Sequence, residues 1–210
     1  PGAYAPPYLY PAAIEEARAL GGDPSKAVVI PNGIVTEEFD AAFAAQREKT
    51  RGIRAEGADS HLWRLVYIAR VVPIKGLMDL IEAVRILRER GRSVHLDVCG
   101  PTEHVPEYYE RCCARIAELG LEDAITIRGT VKVRQCLTEF DLFLLPSYNE
   151  GLPVVSLETM GAGIPTVSTD VGAVRTVVED EIVGPDSRVW GPCGLVIVPG
   201  DPEIMADGVE

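Results

Sequence analysis

The sequence has no apolar run of bilayer-spanning length, so no part of it is expected to cross a membrane. Its opening, Pro1-Gly2-Ala3-Tyr4-Ala5-Pro6-Pro7, lacks an initiator Met, a basic n-region and an apolar h-region. That excludes a signal peptide and reads as a cut made inside a longer chain. Positive charge is scarce: 20 Lys and Arg stand against 32 Asp and Glu, a formal net charge of −12. Nucleic-acid binding depends on cations neutralising phosphates, so a DNA or RNA partner is not expected. Any phosphate-bearing ligand must be small and met by a few local cations, because the global field opposes it. The five cysteines, Cys99, Cys112, Cys113, Cys136 and Cys193, are odd in number and lack paired C-x-x-C spacing. This argues against a disulfide framework or a zinc site and points to a reducing cytoplasm. Cys99 and Cys136 sit among apolar neighbours and read as small core residues. His61, His95 and His104 form no cluster, so no metal site is expected; His104 lies nearest the cleft predicted below. Internal repeats and low-complexity tracts are missing as well.

What is present suits one large α/β domain with a flanking segment: 210 residues, 47% hydrophobic and 25% charged. From Leu62 onward, short apolar runs alternate with amphipathic stretches, the pattern of a parallel sheet covered on both faces. Six strands are predicted, at 65–69, 93–99, 124–128, 141–145, 164–168 and 194–198. Leu77, Leu80, Ile81, Val84 and Leu87 make one helical stripe between the first two, and Tyr109, Cys112, Ile116 and Leu119 another before the third. Further helices are predicted at 133–140, 153–160, 173–179 and 202–207. The last is barely two turns, so the C-terminus also reads as cut. Residues 1–60 differ: a Pro/Tyr-rich start, a helix at 12–20, a strand at 27–30, a Pro31-Asn32-Gly33 turn, and then 41–60, expected to be a frayed helix or mobile loop. The expected division is thus an interdomain segment over 1–60 and a Rossmann-like doubly wound domain over 61–210.

In an open parallel sheet, ligands bind beyond the carboxyl ends of the strands where strand order reverses. With the order 3-2-1-4-5-6, that crevice lies between the first and fourth strands. The loop after the first carries Arg70-Val71-Val72-Pro73-Ile74-Lys75-Gly76, and the loop after the fourth Ser147-Tyr148-Asn149-Glu150-Gly151-Leu152-Pro153. Arg70, Lys75 and Glu150 should therefore meet across one cleft. A helix start near Gly151 offers free amides and a positive dipole end for a phosphate, while Glu158, about one and a half turns later, suits vicinal hydroxyls. Taken singly, Arg70 and Lys75 serve equally well as solvated loop cations, Glu150 as a helix-dipole partner, Glu158 as a surface residue, and Gly151, Gly161 and Gly163 as turn glycines. Only their joint placement argues for a site.

At these residues the sequence resembles the GT-B glycosyltransferases, specifically the retaining family 4. The Arg-x4-Lys-Gly segment (Arg70, Lys75, Gly76) and the Glu-x7-Glu segment (Glu150, Glu158) are similar to that family's two signatures. Residues 29–34 resemble the segment where such chains pass into the C-terminal domain, and 168–172 a glycine turn near the donor. The resemblance implies that Arg70 and Lys75 hold the donor diphosphate and stabilise its departure, and that Glu150 faces the donor sugar and Glu158 the ribose. It further implies that Gly151 and Leu152 lend amides, that Thr130 and Val131 lie near the base, and that Ser147 only shapes the loop. It implies no metal, and no Asp-x-Asp occurs. The implied donor is a nucleotide-diphosphate sugar, a UDP-sugar first, with the acceptor held by an N-terminal domain. Ala69 departs from the family's usual Gly and is expected to crowd the phosphate loop slightly. Segments 70–75 and 192–199 look most like the Pel exopolysaccharide subgroup.

Two other readings stay open. A nicotinamide-dependent dehydrogenase would share the architecture, but it needs G-x-G-x-x-G after the first strand, and Gly161-Ala162-Gly163 lies between a helix and a strand. A non-catalytic nucleotide-binding module would use the same cleft without transfer.

Overall fold

The predicted apolar runs form one six-stranded, wholly parallel sheet in the computed structural model, which describes residues 7–23, 25, 27–56, 61–183, 189–190 and 192–210. Its strands are β1 (Trp63–Ile68), β2 (Val94–Cys99), β3 (Ile125–Gly129), β4 (Leu142–Leu145), β5 (Thr166–Thr169) and β6 (Gly194–Ile197). The spatial order is β3-β2-β1-β4-β5-β6, the expected doubly wound arrangement, with its reversal between β1 and β4.

Central β1 shows why its run of apolar residues is unbroken. Leu65, Val66 and Tyr67 are all fully buried, because alternate side chains enter opposite layers and both layers are covered. Leu65 and Tyr67 join α3 (Leu77–Glu89), α4 (Pro106–Glu118) and α8 (Pro202–Val209) in one core. Val66 and Ile68 join Phe39, Phe140, Phe143, Val174 and Val178 in the other. The α3 stripe is buried as predicted. In α4 the predicted stripe packs on the core, with Cys112 and Ile116 buried and Tyr109 and Leu119 partly buried against it, and the structure adds buried Tyr108 to it. The steps 108, 112 and 116 keep one face, and the Tyr108 hydroxyl accepts the Met78 amide, which fixes the ring against α3. Helix α8 is short, yet Asp201 caps its first turn through the Glu203 and Ile204 amides, and Met205 and Ala206 are buried.

Preceding the sheet, α1 spans Ala12–Ala19, and the strand expected at 27–30 shrinks to Val28–Val29, paired in parallel with Pro7–Tyr8. Of the two expectations for 41–60, the helix holds over residues 41–56 and the loop does not. These residues belong to α2 (Asp40–Glu56), which follows a 3-10 turn at Thr36–Phe39 and packs on the domain; 57–60 lie outside the described residues. The helix is held largely by polar contacts, so apolar periodicity does not reveal it. Gln46 is buried and donates to the Phe140 carbonyl at 3.1 Å, Lys49 donates to the same carbonyl at 3.0 Å, and Phe39 is buried just before the helix. Shorter helices α5 (Val133–Cys136), α6 (Val154–Gly161) and α7 (Val174–Val178) occupy the predicted crossovers.

Lys49 also pairs with Asp141 at 2.6 Å, beneath β4. The Asp141 carboxylate accepts the Arg64 amide at 2.8 Å and contacts His61 Nε2 at 3.0 Å. Burial alone would raise its pKa, but the bonds from Lys49, the Arg64 amide and His61 outweigh burial and hold it below the ordinary carboxylate range. Ionised Asp141 therefore stabilises the fold above pH ~4, and the contribution is lost as acid titrates the native carboxylate. Asp141→Asn should cost about 2 kcal/mol at neutral pH and flatten the acid limb of stability. Urea unfolding at pH 7 and at lower pH checks both; equal stability of variant and parent at neutral pH would remove Asp141 as the anchor.

Candidate active site

The loops leaving β1 and β4 meet above the sheet with no room between their backbones. Val71 and Val72 are buried and pin the first loop, whose 3-10 turn at Pro73–Lys75 ends on Gly76. Gly76 has φ +69°, and a Cβ there would stand 2.0 Å from the Pro146 carbonyl oxygen. The Tyr148 amide donates to the Ile74 carbonyl at 2.9 Å, a second tie between the loops. Ala69, whose methyl was expected to crowd the phosphate loop, packs instead against the core that contains Tyr67.

Within this frame Lys75 Nζ reaches Glu150 Oε1 at 2.5 Å, joining residues 75 apart in sequence. Their side chains are 15% and 11% exposed, so most of the hydration of both charges has been removed and each depends on the other. Ser147, expected only to shape the loop, is fully buried and donates to the same Glu150 oxygen at 2.7 Å. Arg70 is exposed, and its side chain makes no hydrogen bond or ion pair among the described residues. Its carbonyl accepts the Tyr67 hydroxyl at 2.8 Å; burial pushes that phenol's pKa far up, so it remains a donor.

The second loop is backed by the turn after β5. At Gly172, with φ +57°, a Cβ would lie 2.3 Å from the carbonyl oxygens of both Glu150 and Gly151, and the Ala173 amide donates to Gly151 at 2.8 Å. The amides of Gly151 and Leu152 have no acceptor among the described residues. The Leu152 carbonyl accepts Asn32 Nδ2 at 2.7 Å, so the Pro31-Asn32-Gly33 turn docks on the site loop.

Glu158 does not join Glu150. Its side chain, 17% exposed, faces Arg134 Nε at 3.4 Å, and Arg134 also pairs with Glu38 and lies over the Phe39 ring at 5.3 Å. Half-buried Val131 packs into the same core as Phe39 and Phe140, just before the helix that carries Arg134. The crevice thus has two parts: Lys75, Glu150, Ser147 and Arg70 at the strand ends, and Glu158 with Arg134 further along α6. Ser147, Tyr67, Asn32 and Arg134 are the positions that sequence reasoning left out or undervalued. Asn32 alone carried a signal, its turn motif. No cluster of metal-ligating side chains occurs among the described residues. Nor, among them, is any helix long and apolar enough to cross a membrane.

The profile of the family Glycosyl transferases group 1 matches residues 63–210. The chain belongs to this family. It is 31% identical over 171 residues to alpha-maltose-1-phosphate synthase of Mycobacterium tuberculosis, covering 77% of this chain and 42% of that protein. To D-inositol 3-phosphate glycosyltransferase of Paenarthrobacter aurescens it is 26% identical over 195 residues, 90% of this chain and 44% of the relative. Among solved structures it is similar to Anabaena HepE in complex with UDP, with TM-score 0.74 and 20% identity over 96% of this chain and 51% of that one. The C-terminal domain of the Francisella tularensis group 1 glycosyl transferase LpcC superposes with TM-score 0.62 at 18% identity, over 84% of this chain and 86% of that domain. The group 1 chain therefore has the α/β architecture of GT-B structures and spans about half the length of the full-length relatives it matches. Membership in the family also sets aside the dehydrogenase alternative, whose glycine fingerprint has no counterpart at 70–76.

Gly76→Ala should cost at least about 2 kcal/mol, combining left-handed strain with backbone collision. Gly120→Ala, at φ +63° with nothing within 4 Å of the added methyl, should cost only about 1 kcal/mol. Urea unfolding of the two variants separates collision from strain. Equal losses would mean that the loops are not in contact at Gly76.

Proposed function

We propose that this chain is the donor-binding domain of a retaining family 4 glycosyltransferase that takes a nucleotide-diphosphate sugar, with a UDP-sugar the first candidate. The carrying observation is the Lys75–Glu150 pair closing the crevice beside Arg70, whose side chain has no partner among the described residues. Two cations and one carboxylate leave this spot positive in a chain of net charge −12, which suits a small diphosphate and nothing larger. Arg70 and Lys75 hold the diphosphate and stabilise the charge that develops as the sugar leaves, while the Gly151 and Leu152 amides add neutral donors. Glu150 accepts hydroxyls of the donor sugar. Glu158 accepts those of the ribose, which requires it to exchange Arg134 for ligand, and Val131 lies by the base. The HepE complexes with UDP and UDP-glucose support a uridine nucleotide.

The half-length coverage of relatives supports an acceptor held by a second, N-terminal domain. The 210-residue chain then binds nucleotide without transferring sugar. The whole enzyme works in the cytoplasm, at the inner face of the membrane, passing sugar to a saccharide or lipid-linked acceptor in polysaccharide or cell-envelope synthesis. Similarity of 70–75 and 192–199 to the Pel subgroup supports an exopolysaccharide product.

Calorimetric titration with UDP, GDP, ADP and NAD tests this reading. One nucleoside diphosphate should bind, and Arg70→Glu or Lys75→Glu should weaken it by about ten-fold or more. Tight preference for NAD would refute the assignment, and unchanged affinity in either variant would remove that residue from the site.

A further inference from the structure

Resting on the donor-site reading, we propose that Ser147 is a positioning residue whose hydroxyl keeps the Glu150 carboxylate turned toward the donor sugar once the diphosphate draws on Lys75. The geometry at Glu150 carries this. Ser147 Oγ and Lys75 Nζ both donate to Glu150 Oε1, at 2.7 Å and 2.5 Å, and Oε2 has no donor among the described residues. A carboxylate anchored through one oxygen presents the lone pairs of the other to an incoming hydroxyl. The two anchors respond differently to a ligand. Lys75 is a charge, and a diphosphate arriving beside it competes for that charge while repelling Glu150. Ser147 is neutral, so its bond persists when the ammonium is shared.

Ser147 is itself held. It is fully buried at the end of β4, and its carbonyl accepts the hydroxyl of Thr169, the buried last residue of β5. The Thr169 bond fixes the Ser147 backbone, and a side chain that merely filled space there would not need the hydroxyl that reaches Glu150. The chain of contacts from Thr169 through the Ser147 peptide to Glu150 passes the rigidity of the sheet to the acid that meets Lys75, a supporting shell of the kind that sets side-chain direction.

The consequence is a split between nucleotide and sugar. The unsubstituted chain, titrated with UDP, UDP-glucose, UDP-galactose and UDP-N-acetylglucosamine, should bind at least one UDP-sugar more tightly than UDP. Ser147→Ala should lower affinity for that UDP-sugar by about ten-fold while changing UDP by less than about two-fold; Ser147→Thr should restore the preference. Thr169→Val, which keeps the shape, should act in the same direction. Equal weakening of UDP and UDP-sugar would indicate a structural role and overturn the proposal, as would an unchanged preference in Ser147→Ala or no preference in the parent chain. If the parent binds no nucleotide at all, the donor-site reading itself fails and this inference falls with it.

Discussion

The constraint on which this molecule depends is the contact between the two loops at the sheet's reversal. Because β1 and β4 are neighbours whose following helices wind away in opposite directions, their loops diverge and leave a crevice, yet at Gly76 and Pro146 the backbones touch. Only a residue without a Cβ, in the left-handed region, permits that approach. The contact brings Lys75 to Glu150, since the lysine immediately precedes the glycine and the glutamate lies in the loop that follows Pro146.

A nearly buried ion pair contributes little to stability on balance, because the lost hydration of both charges offsets most of their attraction. Under the donor-site proposal, the pair at Lys75 and Glu150 is stored binding capacity. Each group has already been stripped of most of its water, so exchanging one partner for a ligand costs less reorganisation than ordering an exposed side chain would. Exposed Arg70 differs in kind. It is still hydrated and, under the donor-site proposal, would supply the long-range attraction that an acidic protein needs if an anion is to approach.

The segment before the sheet is more than a tether. Asn32 bonds to the Leu152 carbonyl, Glu38 meets Arg134, Phe39 is buried beneath that arginine, and α2 is bolted to β4 through Gln46, Lys49 and Asp141. Asn32 therefore fastens to the loop that carries Glu150, whereas Gln46 and Lys49 fasten α2 to Phe140 and Asp141 at the opposite, entering end of β4.

Much of this was legible in the residues. The six strands, their order, the α3 stripe and the loops bearing Arg70, Lys75 and Glu150 follow from apolar periodicity and from the rule that places ligands at the reversal, because period and winding are local or topological properties. Helix α2 was open between helix and loop because Gln46 and Lys49 hold it through polar atoms that hydropathy cannot register. Tyr108 joins the α4 stripe beside the predicted Tyr109, and its bond from the Met78 amide is a contact that periodicity does not show. Glu158 and Glu150 were expected to serve one donor, but Glu150 in the loop before α6 and Glu158 within α6 choose separate partners, Lys75 and Arg134. By itself, then, the sequence determined the architecture and which two loops face each other. Tertiary structure alone decided which oxygen Lys75 and Ser147 share, which cation stays free and what braces the acid, because those choices depend on distances of a few ångströms between residues remote along the chain.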